Sequence, residues 1–241
     1  IIIRDFGEIE NLQVSKKGPK DFVTNSDLKA EKIIIEELKK AKPNYSIISE
    51  ENGIENNKDK DNTWIIDPID GTINFLHGIP HFAISIALKS NDEIISGIIF
   101  DPIKNEMFTA QKDAGAYLNN TRIRVSNKSD FKNACLVTGG PKAASKIKGS
   151  ILDEYKKLSM ETNAHIRKSG SAALDLAYIA AGRYDGYWQR EINYWDIAAG
   201  IVLVKESGGF VENIKGEVLN KEKLDIVASN WKIHKKLKNF L

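Results

Sequence analysis

The chain has 241 residues, of which 41% are hydrophobic and 28% are charged, which is typical of a globular protein with a sizeable core. Its 35 basic side chains nearly balance its 33 acidic ones, so the net charge of +2 argues against nucleic acid as the main partner. No run of about 18 apolar residues is present, so no membrane span is expected. The single cysteine, Cys135, cannot form an internal disulfide and favours a cytoplasmic location. Because the sequence begins with Ile1 and not with Met, we expect the natural N-terminus to lie upstream.

Apolar residues at helical spacing follow Thr24 and Ser26, and they predict an amphipathic helix that ends before Pro43. Short β-type runs at 45–49 and 63–67 predict two strands, with an exposed polar loop between them. Further strands are predicted at 82–89, 93–100, 106–110 and 116–118, the first two joined by a turn at 90–92.

After Cys135, which we place on a buried strand, the pattern alternates between helices and strands. Helices are predicted at 144–159, 171–181 and 195–206, and strands at 164–167, 184–188, 209–212 and 224–228. We therefore expect a mixed, layered α/β protein. We expect the first half, about 1–130, to be rich in antiparallel strands, and the second half, about 131–241, to alternate between helices and strands. The two halves are expected to form a single domain.

The most informative stretch is an apolar strand that leads into two carboxylates, Asp67 and Asp70. The proline between them is predicted to break the strand, so that both acids lie on a turn at its end. Gly71 allows close backbone approach, and Thr72 can cap a helix that starts near Asn74. Two hard carboxylates beside a helix N-terminus suit a site where Mg²⁺ and a phosphate meet. An ordinary Asp-Gly turn with a helix cap is the alternative, and the spacing leaves both open.

Two other acidic positions favour the metal site. Glu50 and Glu51 end an apolar strand, and Asp196 opens an apolar helical run far downstream. Sites in α/β folds collect at strand ends and helix starts, so the three segments can converge. Taken singly, Glu51 fits a surface acid and Asp196 fits an N-cap.

These residues resemble the inositol monophosphatase family, over a range from about Lys16 to Gly209. The resemblance rests on the blocks Asp67-Pro-Ile-Asp-Gly-Thr72 with Asn74-Phe75, Glu50-Glu51 and Trp195-Asp196-Ile197-Ala198. It is closer to the bacterial inositol monophosphatases than to the nucleotide 3′-phosphatase or fructose bisphosphatase branches. It implies a layered αβαβα sandwich, a homodimer, inhibition by lithium, and Mg²⁺-dependent hydrolysis of a small phosphorylated metabolite.

The resemblance also implies roles for individual residues. Glu50, Asp67 and the backbone carbonyl of Ile69 would bind one Mg²⁺, and Asp67, Asp70 and Asp196 a second. Thr72 and Asp27 would polarise the attacking water, which Glu50 would help to orient. Gly71 and Thr72 would offer backbone N–H groups to the phosphate, while Gly170, Ser171 and Ala172 would line the alcohol side of the substrate.

Two of these positions have a second interpretation from local sequence alone. Asp27 stands three residues after Thr24, as in a capping box, and this role is compatible with catalysis. Ser171 could be only an N-cap.

One position departs from the family pattern. Gln189 lies seven residues before Asp196, where relatives that use inositol have Glu. An amide brings two hydrogen-bond donors and one acceptor oxygen, whereas a carboxylate only accepts. We therefore expect phosphate hydrolysis with a substrate range not restricted to inositol. Fructose 1,6-bisphosphate, NADP or a nucleotide 3′-phosphate are alternative substrates, and a regulatory role with RNA or transcription machinery is an alternative function.

Overall fold

The computed structural model describes residues 1–8, 14–18, 21–140, 145, 147–216, 219 and 223–241. The first helix, α1, covers Ile2–Gly7, and strands β1 (Val14–Gly18) and β2 (Asp21–Thr24) form a small antiparallel sheet. Helix α2 covers Asn25–Ala41, and the Thr24 side chain caps it by accepting the backbone N–H of Ser26. This confirms the predicted helix and its start.

The largest sheet has eight strands in the order β10-β9-β8-β7-β6-β5-β3-β4. Its strands are β3 (Ser46–Ser49), β4 (Gly53–Glu55), β5 (Asn62–Asp70), β6 (Ala83–Ser90), β7 (Glu93–Asp101), β8 (Glu106–Gln111), β9 (Gly115–Leu118) and β10 (Thr121–Arg122). Among the described strands of this sheet, only β3 and β5 pair in parallel. Helix α3 (Thr72–Leu76) follows β5 directly. The first half is thus rich in antiparallel strands, as predicted.

A second sheet has five strands in the order β12-β11-β13-β15-β14. Its strands are β11 (Cys135–Thr138), β12 (His165–Arg167), β13 (Gly186–Asn193), β14 (Gly209–Asn213) and β15 (Lys223–Asn230). The helices of this half are α4 (Lys148–Glu161), α5 (Ala172–Ala180), α6 (Tyr194–Glu206) and α7 (His234–Lys238). The helix predicted from Ala144 is α4; residue 144 itself lies outside the described residues.

Alternation along the strands places the helices in layers. On β6, Ala83 and Ala87 pack into the cluster formed by α5 and α6, whereas Ile84 packs against the cluster that contains Ala30 of α2. On β13, Tyr187 faces α5 and α6, whereas Trp188 packs with α4 and α7. The order of layers is therefore α2, large sheet, α5 with α6, small sheet, and α4 with α7, which confirms the αβαβα sandwich.

Three local predictions were wrong in detail. Strand β5 does not stop after Asp67 but continues to Asp70 through an irregular register, because the partner strand β6 pairs again at Ala83. Helix α3 begins at Thr72, so the N-cap is Gly71 and not Thr72. Cys135 lies on a strand, as predicted, but it is half-buried rather than buried.

Candidate metal and phosphate site

The end of β5 presents Asp67 and Asp70 in the interior of the molecule. The irregular pairing between these two residues turns the backbone, and the Ile69 N–H donates to Asp67 Oδ1 over 3.0 Å. Asp67 is 1% exposed and Asp70 8% exposed. Two acids are thus aimed into one place by the same short stretch of strand.

Asp196 joins them from the first turn of α6. Carboxylate oxygens of Asp67, Asp70 and Asp196 all lie within 4.8 Å of one another. Asp196 also accepts the backbone N–H of Asn193 over 3.2 Å, as the third residue of a capping box, so the N-cap of α6 is Asn193 and not Asp196. Three hard oxygen ligands from two remote segments suit a divalent cation such as Mg²⁺.

The electrostatics of the cluster support that fit. Burial, followed by repulsion from Glu50, Asp70 and Asp196, raises the pKa of Asp67 well above its usual value. Burial also raises the pKa of Asp70 to about 6, although hydrogen bonds from Ser171 and Ala173 oppose the shift. Because like charges are crowded in a buried space, a cation placed among them would relieve both effects.

Glu50 approaches the cluster from the end of β3. Its backbone N–H donates to the Ile66 carbonyl over 3.2 Å, and its side chain forms a hydrogen bond with Asp67. All four predicted metal-binding side chains are therefore neighbours.

A residue that sequence reasoning missed holds the Glu50 turn in place. Glu31 of α2 is fully buried and accepts hydrogen bonds from the Ser49 hydroxyl, the Glu51 N–H, and the backbone and side chain of Asn52, over 2.6–2.9 Å. The only signal in the sequence was a charged residue on the buried face of an amphipathic helix.

The junction between β5 and α3 contains Ile69, Gly71 and Thr72. The Thr72 hydroxyl donates to the Ile69 carbonyl over 3.1 Å. Gly71 has φ +97°, and an added Cβ would lie 3.2 Å from the His81 carbonyl and 3.3 Å from that of Gly170. Only glycine combines this backbone conformation with such close packing.

Asp27 lies in the first turn of α2 and is fully buried. One of its oxygens accepts the Thr24 N–H over 2.9 Å and also the Thr24 hydroxyl. The capping box is therefore present, as the alternative interpretation of this residue predicted.

The alcohol side of the predicted site is a cavity of about 150 Å³. It is lined by Asp70, Gly139, Gly170, Ser171, Ala172, Asp175, Gln189, Ile192 and Asp196. Ser171 caps α5 by accepting the Leu174 N–H, and its hydroxyl donates to Asp70 over 2.5 Å. The Ala173 N–H donates to the same Asp70 oxygen over 2.7 Å. The N-cap role of Ser171 and its place in the cavity thus coexist.

Two further residues of this region were not predicted to belong to the site. Asp175, a buried acid in the apolar helix α5, accepts the Ser169 hydroxyl, and burial raises its pKa well above the usual value. Asn74 of α3 donates its side-chain amide to the carbonyls of His81, over 2.7 Å, and Ser169, over 2.9 Å. Asn74 thereby ties the turn after β5 to the loop before α5.

No helix in the described part of the chain is both long and apolar enough to cross a membrane.

Comparisons with known proteins agree with this geometry. The sequence profile of the inositol monophosphatase family matches residues 1–239. An inositol-1-monophosphatase of Rhizobium meliloti is 46% identical over 100% of this chain and 90% of its own length. A Nus factor SuhB of Xylella fastidiosa is 42% identical over 97% of this chain and 86% of its own length. The crystal structure of the extragenic suppressor protein suhB from Bartonella henselae superposes with a TM-score of 0.93 at 45% identity, covering 99% of this chain and 92% of that chain.

Proposed function

The chain belongs to the inositol monophosphatase family, and we propose that it is a Mg²⁺-dependent phosphomonoesterase. Its substrate is inositol monophosphate or a similar small sugar or cyclitol phosphate. In the reaction a water oxygen forms a bond to phosphorus, the bond from phosphorus to the alcohol oxygen breaks, and a proton is transferred to the departing alcohol. No side chain becomes covalently attached to phosphate.

We assign the metal ligands as the family resemblance implies. Glu50, Asp67 and the Ile69 carbonyl would hold one Mg²⁺, and Asp67, Asp70 and Asp196 would hold a second. When bound, Mg²⁺ supplies positive charge that neutralises phosphate oxygens and acidifies water. The crowding of the carboxylates, with oxygens of three of them within 4.8 Å, supports this assignment.

Thr72 and Asp27 are assigned to the attacking water. Because the Thr72 hydroxyl donates its proton to the hydrogen bond with the Ile69 carbonyl, its oxygen lone pairs remain to accept a hydrogen bond from that water. Asp27 acts with Thr72, and its position is fixed by the cap that it forms with Thr24. Glu50 helps to orient the water.

The substrate contacts are assigned as the family resemblance implies. Gly71 and Thr72 offer their backbone N–H groups to the phosphate. Four further residues contact the alcohol, because they line the cavity beside Asp70 and Asp196: Gly170, Ser171, Ala172 and Gln189.

The observation that carries the proposal is the convergence of Asp67, Asp70 and Asp196. It is tested by phosphate release from inositol 1-phosphate with and without Mg²⁺. We expect release only with Mg²⁺, and Asp67→Asn should lower kcat more than about a hundredfold, because a shared ligand is weakened. The exposed Asp92→Asn, whose side chain is 88% exposed, is the matched control and should keep full activity. Normal turnover by Asp67→Asn would contradict the proposal.

A second role deserves a test because a relative 42% identical to this chain is named Nus factor SuhB. We propose that regulatory binding to RNA or transcription machinery is a candidate additional function. Affinity capture at moderate salt with the wild-type chain and Asp67→Asn separates the roles. A partner retained equally by both proteins would support binding independent of catalysis, and no retained partner would leave the phosphatase as the only function.

The remaining family expectations are part of the same proposal: a homodimer, inhibition by lithium and a cytoplasmic location. Sedimentation analysis tests the dimer, and a lithium titration of phosphate release tests inhibition.

A further inference from the structure

The alcohol side of the cavity presents a donor at Gln189 where an acceptor would suit a neutral polyol. The buried Tyr187 hydroxyl donates to Gln189 Oε1 over 2.8 Å. Burial raises the pKa of Tyr187 well above its usual value, so this hydroxyl stays protonated and acts as the donor. Because the amide oxygen is engaged, the NH₂ group is the part of Gln189 that remains for a ligand.

The position of the Gln189 amide is fixed by the strand beside it. An added Cβ on Gly139 would lie 2.0 Å from Gln189 Oε1 and 2.6 Å from its Nε2, so the amide rests directly on the glycine backbone. Both residues line the cavity. The donor is therefore held by Tyr187 on one side and Gly139 on the other, and it does not rotate freely.

A positive charge lies beside Gly140, the residue that follows Gly139. The Lys168 side chain is exposed and lies against Gly140, whose added Cβ would be 3.2 Å from Lys168 Nζ. Gly140 follows the cavity-lining Gly139, and Lys168 is two residues before the cavity-lining Gly170. No carboxylate in the described part of the chain forms an ion pair with Lys168.

The acids that line the cavity accept hydrogen bonds from other groups of the protein. Asp70 and Asp196 belong to the carboxylate cluster. Asp175 accepts the Ser169 hydroxyl, and burial favours its neutral form. The Gln189 NH₂ group and the Lys168 ammonium group beside Gly140 thus remain as donors for an anion. Hydrogen bonds between charged partners are stronger than neutral ones.

We propose that Gln189 and Lys168 form a subsite for an acidic group on the alcohol part of the substrate. The preferred substrates are phosphate monoesters whose alcohol also carries a carboxylate or a second phosphate. This inference rests on the proposed phosphatase function and narrows its substrate class.

The test compares kcat/KM within two pairs of substrates that differ in one acidic group. The first pair is fructose 1-phosphate and fructose 1,6-bisphosphate, with fructose or fructose 6-phosphate as the measured product. The second pair is glycerol 2-phosphate and 2-phosphoglycerate. We expect the acidic member of at least one pair to be preferred about tenfold, the size of one charge-assisted contact. The pair that shows the preference identifies a phosphate or a carboxylate as the recognised group.

Variants assign the preference to the subsite. Gln189→Glu replaces the donor with a carboxylate, which repels an acidic group on the substrate. It should therefore reverse the preference for the acidic substrates and raise kcat/KM for inositol 1-phosphate. Lys168→Ala should reduce the ratio between acidic and neutral members, and Lys168→Arg should restore it. Lys58→Ala, an exposed lysine in the loop before β5, is the control and should leave both ratios unchanged.

The outcomes separate the two levels of the proposal. The subsite is contradicted if the wild-type protein has equal kcat/KM for the neutral and the acidic member of both pairs. It is also contradicted if Gln189→Glu and Lys168→Ala leave the ratios of kcat/KM unchanged. In either case the phosphatase function still stands. If none of the phosphate esters, including inositol 1-phosphate, is hydrolysed with Mg²⁺, the proposed function itself is wrong.

Discussion

At the scale of single residues, Asp67 and Asp70 combine burial with neighbouring like charge. Their pKa values are raised, that of Asp70 from 3.8 to about 6, so the folded state binds more protons than the unfolded state between these values. The metal-free protein should therefore lose stability as the pH rises through this window. Such a cost is typical of functional sites, where stability is given up for binding.

Asp70→Asn tests this cost. The amide removes one buried negative charge but can still accept a hydrogen bond from Ser171. At pH 7.5 we expect the unfolding free energy of the metal-free variant to exceed that of the wild-type protein by about 1 kcal/mol, so that the variant unfolds at a higher temperature. This difference should vanish near pH 4. Thermal unfolding with EDTA at both pH values measures it. Stabilisation by added Mg²⁺ should be smaller in the variant, and a variant less stable at pH 7.5 would contradict the electrostatic explanation.

Glu31 illustrates a residue that acts on the site through its neighbours. Its carboxylate organises the turn that carries Glu50. In Glu31→Gln one acceptor oxygen becomes a donor that faces backbone N–H groups, so the turn should loosen. We expect the Mg²⁺ concentration for half-maximal activity to rise about 10–100-fold, the range found for groups that orient metal ligands.

The readout that separates positioning from general damage is the response to excess Mg²⁺. High Mg²⁺ should restore most of the activity of Glu31→Gln. Glu36→Gln, an exposed change on the same helix, is the control and should behave as the wild-type protein. Activity that stays low at all Mg²⁺ concentrations would show that Glu31 has a different role.

A site residue could be predicted from the sequence when the residues that reveal its role lie in the same short segment. The stretch from Asp67 to Thr72 places two acids, a glycine and a threonine within six positions, so the sequence alone located the turn that carries Asp67 and Asp70. Glu31 makes its contacts 18–21 residues away, and nothing in its own segment indicates them. Asp175 was missed for the same reason, since its burial depends on the sheets around α5.

At the scale of elements, α5 and α6 pack so closely that glycine is required between them. An added Cβ on Gly200 of α6 would lie 2.4 Å from Leu176 Cδ1 and 2.5 Å from Leu176 Cβ on α5. On the other side of α6, an added Cβ on Gly97 of β7 would lie 2.8 Å from the Ala199 carbonyl. Asp196 is on the first turn of α6, so this packing also sets the distance between Asp196 and the acids of β5.

Gly200→Ala should therefore destabilise the protein although alanine favours helices. Overpacking costs about 1–3 kcal/mol, which exceeds the gain of about 1 kcal/mol from helix propensity. Gly149→Ala on α4, where nothing lies within 4 Å of the added Cβ, is the matched control and should be neutral or slightly stabilising. Urea unfolding of both variants measures the difference. An equal effect of the two changes would show that α5 and α6 can move apart without cost.

Most element positions were predictable because their patterns are periodic and their ends carry breakers. Helix α2 has its cap in Thr24 and stops before Pro43, and the β6–β7 hairpin has polar residues at its turn. The end of β5 was not predictable, because proline ordinarily interrupts a strand and here a shifted register with β6 accommodates it. The short strands β4 and β10 are stabilised by pairing with neighbours and carry no periodic signal of their own.

At the scale of the whole molecule, the site lies where the two halves meet. Asp67 and Asp70 come from the large sheet, Asp196 comes from a helix between the sheets, and Gln189 comes from the small sheet. We propose that the halves form one domain, because α5 and α6 bury side chains from both sheets in one cluster. A single cooperative transition in calorimetry is expected, and two separate transitions would contradict a single domain.

We infer that four carboxylates together hold divalent cations: Glu50, Asp67, Asp70 and Asp196. Crystals soaked in Mn²⁺, which can replace Mg²⁺ at oxygen ligands, test it directly through anomalous scattering. We expect at least one strong anomalous peak in contact with oxygens of Asp67, Asp70 and Asp196, absent from crystals of Asp67→Asn. Crystals at saturating Mn²⁺ with no peak among these carboxylates, or with peaks only elsewhere on the surface, would contradict it.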